Sequence, residues 1–460
     1  MKVVLISPTL EWERKVFHQT LPLGIAYLAA LLEKAAIDVE VIDFRFVNHR
    51  PVDDCIPLDA DVIGFSAFTF QFPKALEICK KLRAKGFKGK LIFGGPHASA
   101  APLDVINNDE IDAAFVGEAE ESLPLYINYL KGKIKKESLI RTCLSTSTGI
   151  FQPREHSWIR DLDALPFPAR HLFPMSQIME GDIRHVNILT TRGCPYNCTF
   201  CQPLKKTLFG QKIRRRSVGN VIAELIHCKD EYDITNFGVV DDTFTFNVKY
   251  VIEFCNSLIE TGFNLDWACQ TRSDLDVSVL ELLRKSGCHA MWIGIESGSQ
   301  VILDKMEKKT SVEENRKFIA TCREAGIATL VNMMVGFPGE TEEDLKKSVA
   351  FIEETKPDQV IVSQVTPFPG SYIYERDDVI KQDYSQVARH VFGEKFRSMI
   401  PMQDKIVESA SKMVKVFDIF SLGSGDEDID KWLPEIPRSC EQVYIFGTAA
   451  TGQLTAESLK

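Results

Sequence analysis

Short apolar runs alternate with amphipathic stretches along most of the chain. Over the first 130 residues the runs are Val3–Ile6, Val39–Asp43, Val62–Ser66, Lys90–Gly95 and Ala113–Gly117. Apolar runs this short, bounded by turn residues, predict strands buried on both faces. Between them, Leu23–Leu32 carries apolar residues at helical spacing behind Pro22, and Pro73–Lys85 gives another helix. Strands separated by helices predict a parallel doubly wound sheet over residues 1–130, flavodoxin-like or Rossmann in class. Ligands of such sheets bind beyond the carboxyl ends of the strands. There the chain places Ser7, Pro8, Asp43, Ser66, Gly94, Gly95, Pro96, His97, Gly117 and Glu118. No Gly-x-Gly-x-x-Gly follows the first strand, which argues against a dinucleotide.

The alternation lapses over residues 131–180. Lys131–Lys136 is a basic turn, and Leu165-Pro166-Phe167-Pro168-Ala169-Arg170 is a proline-rich extended connector. The pattern resumes over 181–370 with the runs Val186–Leu189, Asn236–Val240, Asp266–Gln270, Ala290–Ile295, Ala328–Val335 and Gln359–Val365. Helical patterns fall between them, at Val218–His227, Tyr250–Glu260, Val279–Lys285, Val312–Ala325 and Leu345–Thr355. Six such units predict a partial (β/α)6 barrel of the TIM type, with its active site at the C-terminal strand ends. Periodicity weakens over 371–460. A helix over Asp404–Phe420, an acidic loop at Gly423–Asp428, a strand at Val443–Phe446 and a tail from Gly452 predict a small mixed region. Cys440 within it is a lone thiol and no metal motif.

The length of 460 residues suits two to three domains, and the 45% apolar content is ordinary for a globular chain. A net charge of −10 argues against a general nucleic-acid binder. The basic run Lys212–Arg216 reads as a solvated face or as a seat for an anionic ligand. No stretch approaches the length of apolar sequence that spans a membrane, and the N-terminus has no signal-peptide pattern. The chain is therefore expected in the cytoplasm, where cysteines stay reduced and clustered ones serve metals or catalysis.

The cysteines change the picture most. Cys194, Cys198 and Cys201 lie within eight residues, directly after the first barrel strand, with Gly193 and Pro195 turning the backbone. Thiolates hold iron–sulfur clusters, normally four to a cluster. Three in one loop leave one iron of a four-iron cluster open to another ligand, which points to a reactive 4Fe–4S centre.

The triad matches the C-x3-C-x-Φ-C motif of the radical S-adenosylmethionine (SAM) enzymes, with Phe200 at the aromatic position. Other positions of the barrel resemble the same superfamily. Val240, Asp241 and Asp242 stand where main-chain carbonyls meet the methionyl amine of SAM. Arg272 resembles the arginine that pairs with its carboxylate, Glu296 the residue near its ribose or amine, and Gly336 the main chain against its adenine. The first half resembles the cobalamin-binding domain that precedes the barrel in class B radical SAM methyltransferases, on Leu21-Pro22-Leu23-Gly24, Asp43, Gly64-Phe65-Ser66, Gly94-Gly95-Pro96-His97 and Val116-Gly117-Glu118. The resemblance implies that Leu23 and the strand-end residues named above line cobalamin. No Asp-x-His-x-x-Gly is present, because Val16 and Leu21 flank His18, so it implies cobalamin without that lower histidine ligand. His97 is a candidate ligand or hydrogen-bond partner of the corrin, or else a structural histidine of its loop.

The resemblance implies three cofactors: a 4Fe–4S cluster, SAM and cobalamin as methylcobalamin. The reaction it implies is methylation of an unactivated sp3 carbon by way of a 5′-deoxyadenosyl radical, with electrons from a donor such as flavodoxin or ferredoxin. No protein acid or base is assigned as catalytic; Tyr196 is the nearest candidate for an accessory role. A protein or peptide side chain is the favoured substrate. The alternatives are a cyclase, oxidoreductase or rearrangement enzyme on a small molecule or lipid, and a non-catalytic cobalamin or redox sensor.

Overall fold

The structure, a computed structural model, describes residues 1–9, 20–47, 54–146, 149–152, 158–201 and 208–375, and strands at 415–418, 442–447 and 450–455. The apolar runs of the first half become β1 (Lys2–Ser7), β2 (Asp38–Asp43), β3 (Val62–Ser66), β4 (Lys90–Gly94) and β5 (Ala113–Phe115). They are parallel in the order β2-β1-β3-β4-β5, the flavodoxin-like order. In this arrangement the strand order reverses between β1 and β3, so the ligand crevice opens at Ser7 and Ser66. The core of each face is built from the same strands. Val4, Ile6, Ile63 and Phe65 pack on one side and Val3, Leu5, Val62 and Ile92 on the other.

Two strands were not expected. β6 (Thr142–Thr146) and β7 (Gly149–Phe151) fall in the stretch read as a connector and add antiparallel to β5. They cover an edge that β5 would otherwise leave unpaired.

The second sheet is wholly parallel, in the order β16-β15-β14-β13-β12-β11-β8. Its members are β8 (His185–Ile188), β11 (Asn236–Val239), β12 (Asp266–Thr271), β13 (Cys288–Glu296), β14 (Ala328–Val335), β15 (Gln359–Gln364) and β16 (Lys415–Asp418). The first six are the expected units of a partial barrel. The helix expected over 404–420 gives way at Lys415–Asp418 to β16, which pairs with β15 and satisfies its outer backbone groups. The expected strand at 443–446 is β17 (Gln442–Gly447). It forms an antiparallel hairpin with β18 (Ala450–Thr455), where a tail was expected. The acidic loop at 423–428 and Cys440 lie outside the described residues.

Helices pack outside the barrel strands through stripes of buried residues, such as Val251, Phe254 and Leu258 on Val248–Glu260. Phe254 meets Trp267 of β12 edge-on, with ring centres 5.4 Å apart, and Phe237 of β11 stacks on Trp267 at 5.7 Å. Capping boxes at Ser311/Glu314 and Thr341/Asp344 fix where two helices start. A two-stranded ribbon, β9 (Thr191–Arg192) with β10 (Arg214–Arg215), frames the cysteine loop. No described helix is long and apolar enough to cross a membrane.

Candidate functional site at the facing strand ends

The cysteine loop leaves β9 at Gly193, whose φ is +96°. A Cβ there would lie 2.9 Å from the carbonyl oxygens of Gly210 and Lys212, so only glycine lets the ribbon close over the turn. Cys194 is buried; Cys198 and Cys201 are half-buried. The loop's far end is tied to the barrel by main-chain bonds, Thr199 N to Met306 O at 3.0 Å and Ile373 N to Thr199 O at 3.2 Å. Phe200 packs on Ile302, Met306, Phe337, Val365 and Ile373.

Among the described residues, no three His, Cys, Asp or Glu side chains converge tightly enough for a single metal ion. The three thiols of this loop fit a cluster by another rule, since each would bind a different iron and their sulfurs need not converge on one point. No described cysteine forms a disulfide.

The loop's near end is held by Asp241, which is fully buried beyond β11. Its carboxylate accepts from Thr190 N at 2.6 Å, from Thr191 Oγ1 at 2.9 Å and from the Thr190 hydroxyl. Burial pushes this carboxyl up to about 6, against the opposing pull of those hydrogen bonds. Its side chain therefore braces the loop, which leaves main-chain groups of the segment for any ligand. Val240 is half-buried and Asp242 exposed beside it.

Arg272 stands over the loop. Its guanidinium lies 3.7 Å from the Tyr196 ring centre, Nε donates to Asp274 at 3.2 Å, Nη2 donates to Lys308 O, and Nη1 lies 3.8 Å from Cys198 Sγ. Tyr196 OH donates to Asp274 at 2.9 Å, and burial followed by that carboxylate pushes the phenol up to about 12. At the end of β13, Glu296 has φ of +68°, where the register with β14 shifts between Gly294 and Glu296. A non-glycine residue held in the left-handed region costs about 1–3 kcal/mol and marks a place where something else fixes the geometry. Here the carboxylate meets Lys308 Nζ at 2.8 Å, with both side chains at most 10% exposed. Past β14, Gly336 N donates to Glu340 Oε2 at 2.6 Å, and burial pushes Glu340 up to about 7.

The strand ends of the first sheet lie on the facing side. Gly94 is open, since a Cβ there would meet only Phe115 Cβ at 3.9 Å. Gly95 has φ of +85° and closes on Ser66, whose Oγ would be 2.8 Å from a Cβ at 95. A flat ring laid on this edge would meet main chain, which fits a corrin. Ser7, Ser66, Gly94, Gly95, Pro96 and Leu23 are half-buried, whereas Pro8 and Gly117 are buried.

Three side chains expected to face a cofactor are taken up by protein partners. Asp43 accepts from Arg45 Nε at 3.0 Å and Nη2 at 2.5 Å. The His97 ring is buried, 4.3 Å from the Phe72 ring centre and 3.3 Å from Thr69 Oγ1, and burial lowers its pKa to about 4. Its loop-structural alternative is the one this geometry favours. Glu118 is fully enclosed by Arg192, Arg214 and Ile159 N at 2.8 to 2.9 Å.

Those arginines join the two sheets. Arg192 Nη2 also reaches Glu120 at 2.6 Å. A second buried cluster sets Glu224 between Arg170 Nη2 at 2.6 Å and Arg216 Nη1 at 2.5 Å. Asn187 of β8 takes both main-chain groups of Leu21, at 3.2 and 2.8 Å. The basic run 212–216 is a solvated face only in part: Lys212 and Arg215 are exposed, whereas Arg214 and Arg216 point inward to buried carboxylates. Lys308, Arg192 and Asn187 were not singled out from sequence, and nothing local marks them.

The chain matches the family model described as the radical SAM superfamily over residues 188–352, and that described as the B12 binding domain over residues 14–127. An uncharacterized methyltransferase of Pyrococcus horikoshii is 28% identical over 383 residues, covering 82% of this chain and 83% of its own. The cytidylyl-2-hydroxyethylphosphonate methyltransferase of Streptomyces wedmorensis is 27% identical over 432 residues, 80% of each chain. The anaerobic magnesium-protoporphyrin IX monomethyl ester cyclase of Cereibacter sphaeroides is 28% identical over 384 residues, 79% of this chain and 62% of that one. Among solved structures, the radical SAM methyltransferase TsrM from Kitasatospora setae, with cobalamin and a 4Fe–4S cluster bound, superposes with a TM-score of 0.66. It is 18% identical, over 81% of this chain and 74% of that one, a likeness of fold.

Proposed function

Because the chain belongs to the radical SAM superfamily and carries a B12-binding domain, we propose that it is a cobalamin-dependent methyltransferase acting on an unactivated sp3 carbon of a small molecule. It is an enzyme whose cofactors are a 4Fe–4S cluster, SAM and cobalamin. The observation that carries the proposal is the meeting of the two sets of strand ends, where Glu118 beyond β5 holds Arg192 at the mouth of the cysteine loop. When bound, the cluster and SAM supply a radical able to take hydrogen from carbon, and cobalamin supplies the methyl group.

The chain's own residues would do the following. Cys194, Cys198 and Cys201 hold the cluster, while Asp241 and Gly193 fix the loop they sit on. Arg272, a planar fork, receives the carboxylate of SAM. Main-chain groups of Val240, Asp241 and Asp242 take its amine. Glu296 takes the ribose, and Phe200 and Gly336 bound the adenine. Ser7, Pro8, Leu23, Ser66, Gly94, Gly95, Pro96 and Gly117 line cobalamin through main chain and small side chains. Asp43, His97 and Glu118 shape that edge from behind. A cytoplasmic setting and reduction by a flavodoxin or ferredoxin belong to the same proposal.

A small-molecule substrate is preferred here over the protein side chain expected from sequence, because the two relatives described above whose names give a substrate act on small molecules. The cyclase relative supports a second reading, ring closure on the same cofactors. The sensor reading has no such support. Anaerobic incubation with methyl-labelled SAM, reductant and host extract separates these outcomes. Label in a low-mass product together with 5′-deoxyadenosine supports methylation of a small molecule. Label in protein restores the side-chain substrate. Deoxyadenosine with an unlabelled, rearranged product favours the cyclase.

A further inference from the structure

We propose that Lys308 is a positioning residue that makes Glu296 a reader of the SAM ribose. The inference rests on the reading above, in which Arg272 and Glu296 face SAM. Lys308 is 5% exposed, and lysine is seldom buried without a partner. Its two ends hold the two proposed SAM contacts. Nζ donates to Glu296 Oε1 at 2.8 Å, and its carbonyl oxygen accepts from Arg272 Nη2. Its own N–H is anchored to Leu303 O at 3.0 Å, so the residue is fixed by the helix Gln300–Lys305.

The pair needs space that Gly294 leaves open. A Cβ at 294 would lie 2.6 Å from Glu296 Oε1 and 2.7 Å from Lys308 Nζ. Gly294 and Glu296 stand on either side of the register shift at the end of β13. The glycine, the bulge and the positive φ of Glu296 therefore all serve one arrangement of the carboxylate.

The charge balance decides what that carboxylate selects. A lone buried glutamate would attract a cation, and SAM carries two, its ammonium and its sulfonium. Paired with Lys308, Glu296 is neutralised, with Oε1 engaged and Oε2 left to accept a hydrogen bond. A compensated carboxylate favours hydroxyl donors over cations, so the ribose diol is its ligand.

The test uses the full-length protein with its cluster reconstituted anaerobically, and measures equilibrium binding of SAM and its 2′-deoxy and 3′-deoxy analogues. Wild type should prefer SAM over at least one analogue by about tenfold to hundredfold, the range of one charge-assisted hydrogen bond. Lys308→Met should bind SAM and that analogue alike, so the preference collapses. Lys308→Arg should restore part of it, and Lys308→Met should add nothing in a Glu296→Gln background. Gly294→Ala, which displaces the pair without burying an unpaired charge, should also lose the preference, and it stands in if Lys308→Met does not fold. Equal weakening of all three ligands in either variant, or an intact preference, overturns the role of Lys308. A wild type that binds SAM without ribose preference overturns it too. A wild type with an intact cluster that does not bind SAM removes the underlying reading as well.

Discussion

Glu118 and Arg192 meet at 2.9 Å across the junction of the two sheets, with neither side chain more than 3% exposed. Arg192 is the last residue before the turn into the cysteine loop, and Glu118 is the first after Gly117 at the β5 end. The bond therefore ties the proposed cobalamin edge to the proposed cluster loop. Removing one partner of a buried pair leaves the other charged and unpaired, at a cost of about 3–5 kcal/mol. Glu118→Ala should lower unfolding stability by that order in urea titrations, because Arg214 loses its carboxylate partner and Arg192 keeps only Glu120. A loss below about 1 kcal/mol, the worth of a surface pair, would show that the junction does not depend on this contact.

Asp241 predicts an effect on the cluster without touching it. Asn at 241 keeps the shape but offers one acceptor oxygen to a main-chain N–H and two hydroxyls. Asp241→Asn should cost about 1–3 kcal/mol, and should lower iron bound per chain after anaerobic reconstitution. Full iron content with unchanged cluster spectra would mean the Thr190–Thr191 segment holds its course without the carboxylate.

Much of this architecture was legible because strands buried on both faces are apolar runs, and eleven such runs carry both parallel sheets up to β15. The ribbon, hairpin and edge strands were harder. Thr142–Thr146 mixes polar and apolar residues, with Thr142 buried and only Ser145 exposed, and Arg214–Arg215 is a strand only because Thr191–Arg192 lies beside it. The cysteine triad could be read because its ligands are adjacent in sequence. Lys308 could not, since Lys305, Lys308 and Lys309 look alike on the chain and only tertiary packing buries one of them against Glu296. Glu118 stood at the right strand end, but its ligands are arginines from the other half of the molecule.

Glu340 gives a pH dependence of defined sign. Its folded pKa is about 7 against 4.5 for an ordinary glutamate, chiefly through burial. Between those values the folded chain keeps a proton that the unfolded chain has released, so stability falls as pH rises through this window and levels above it. Asp241, raised to about 6, contributes the same sign lower down. Buried His97 and His185, lowered to about 4, contribute the opposite sign between about pH 4 and 6.5. The melting temperature of Glu340→Gln relative to wild type should rise as pH goes from about 4.5 to 7 and level above that. An unchanged profile would mean that Glu340 titrates near its ordinary value, with its carboxylate reached by water.

Arg272 joins three elements through one planar group: Asp274 beyond β12, the Lys308 carbonyl, and the Tyr196 face inside the cysteine loop. A lysine at this position keeps the charge but has no fork and no flat surface to stack, so it cannot serve all three at once. Arg272→Lys should therefore weaken SAM binding by about tenfold or more, the worth of a charged hydrogen bond. Iron content should stay near wild type, because Cys194, Cys198 and Cys201 are held by other contacts. Arg272→Lys should also raise the Tyr196 phenol pKa, because the guanidinium against the ring lowers it and a lysine without that flat contact lowers it less. SAM binding as tight as wild type, with the tyrosine unchanged, would assign Arg272 to packing of the loop and leave the carboxylate of SAM to another cation.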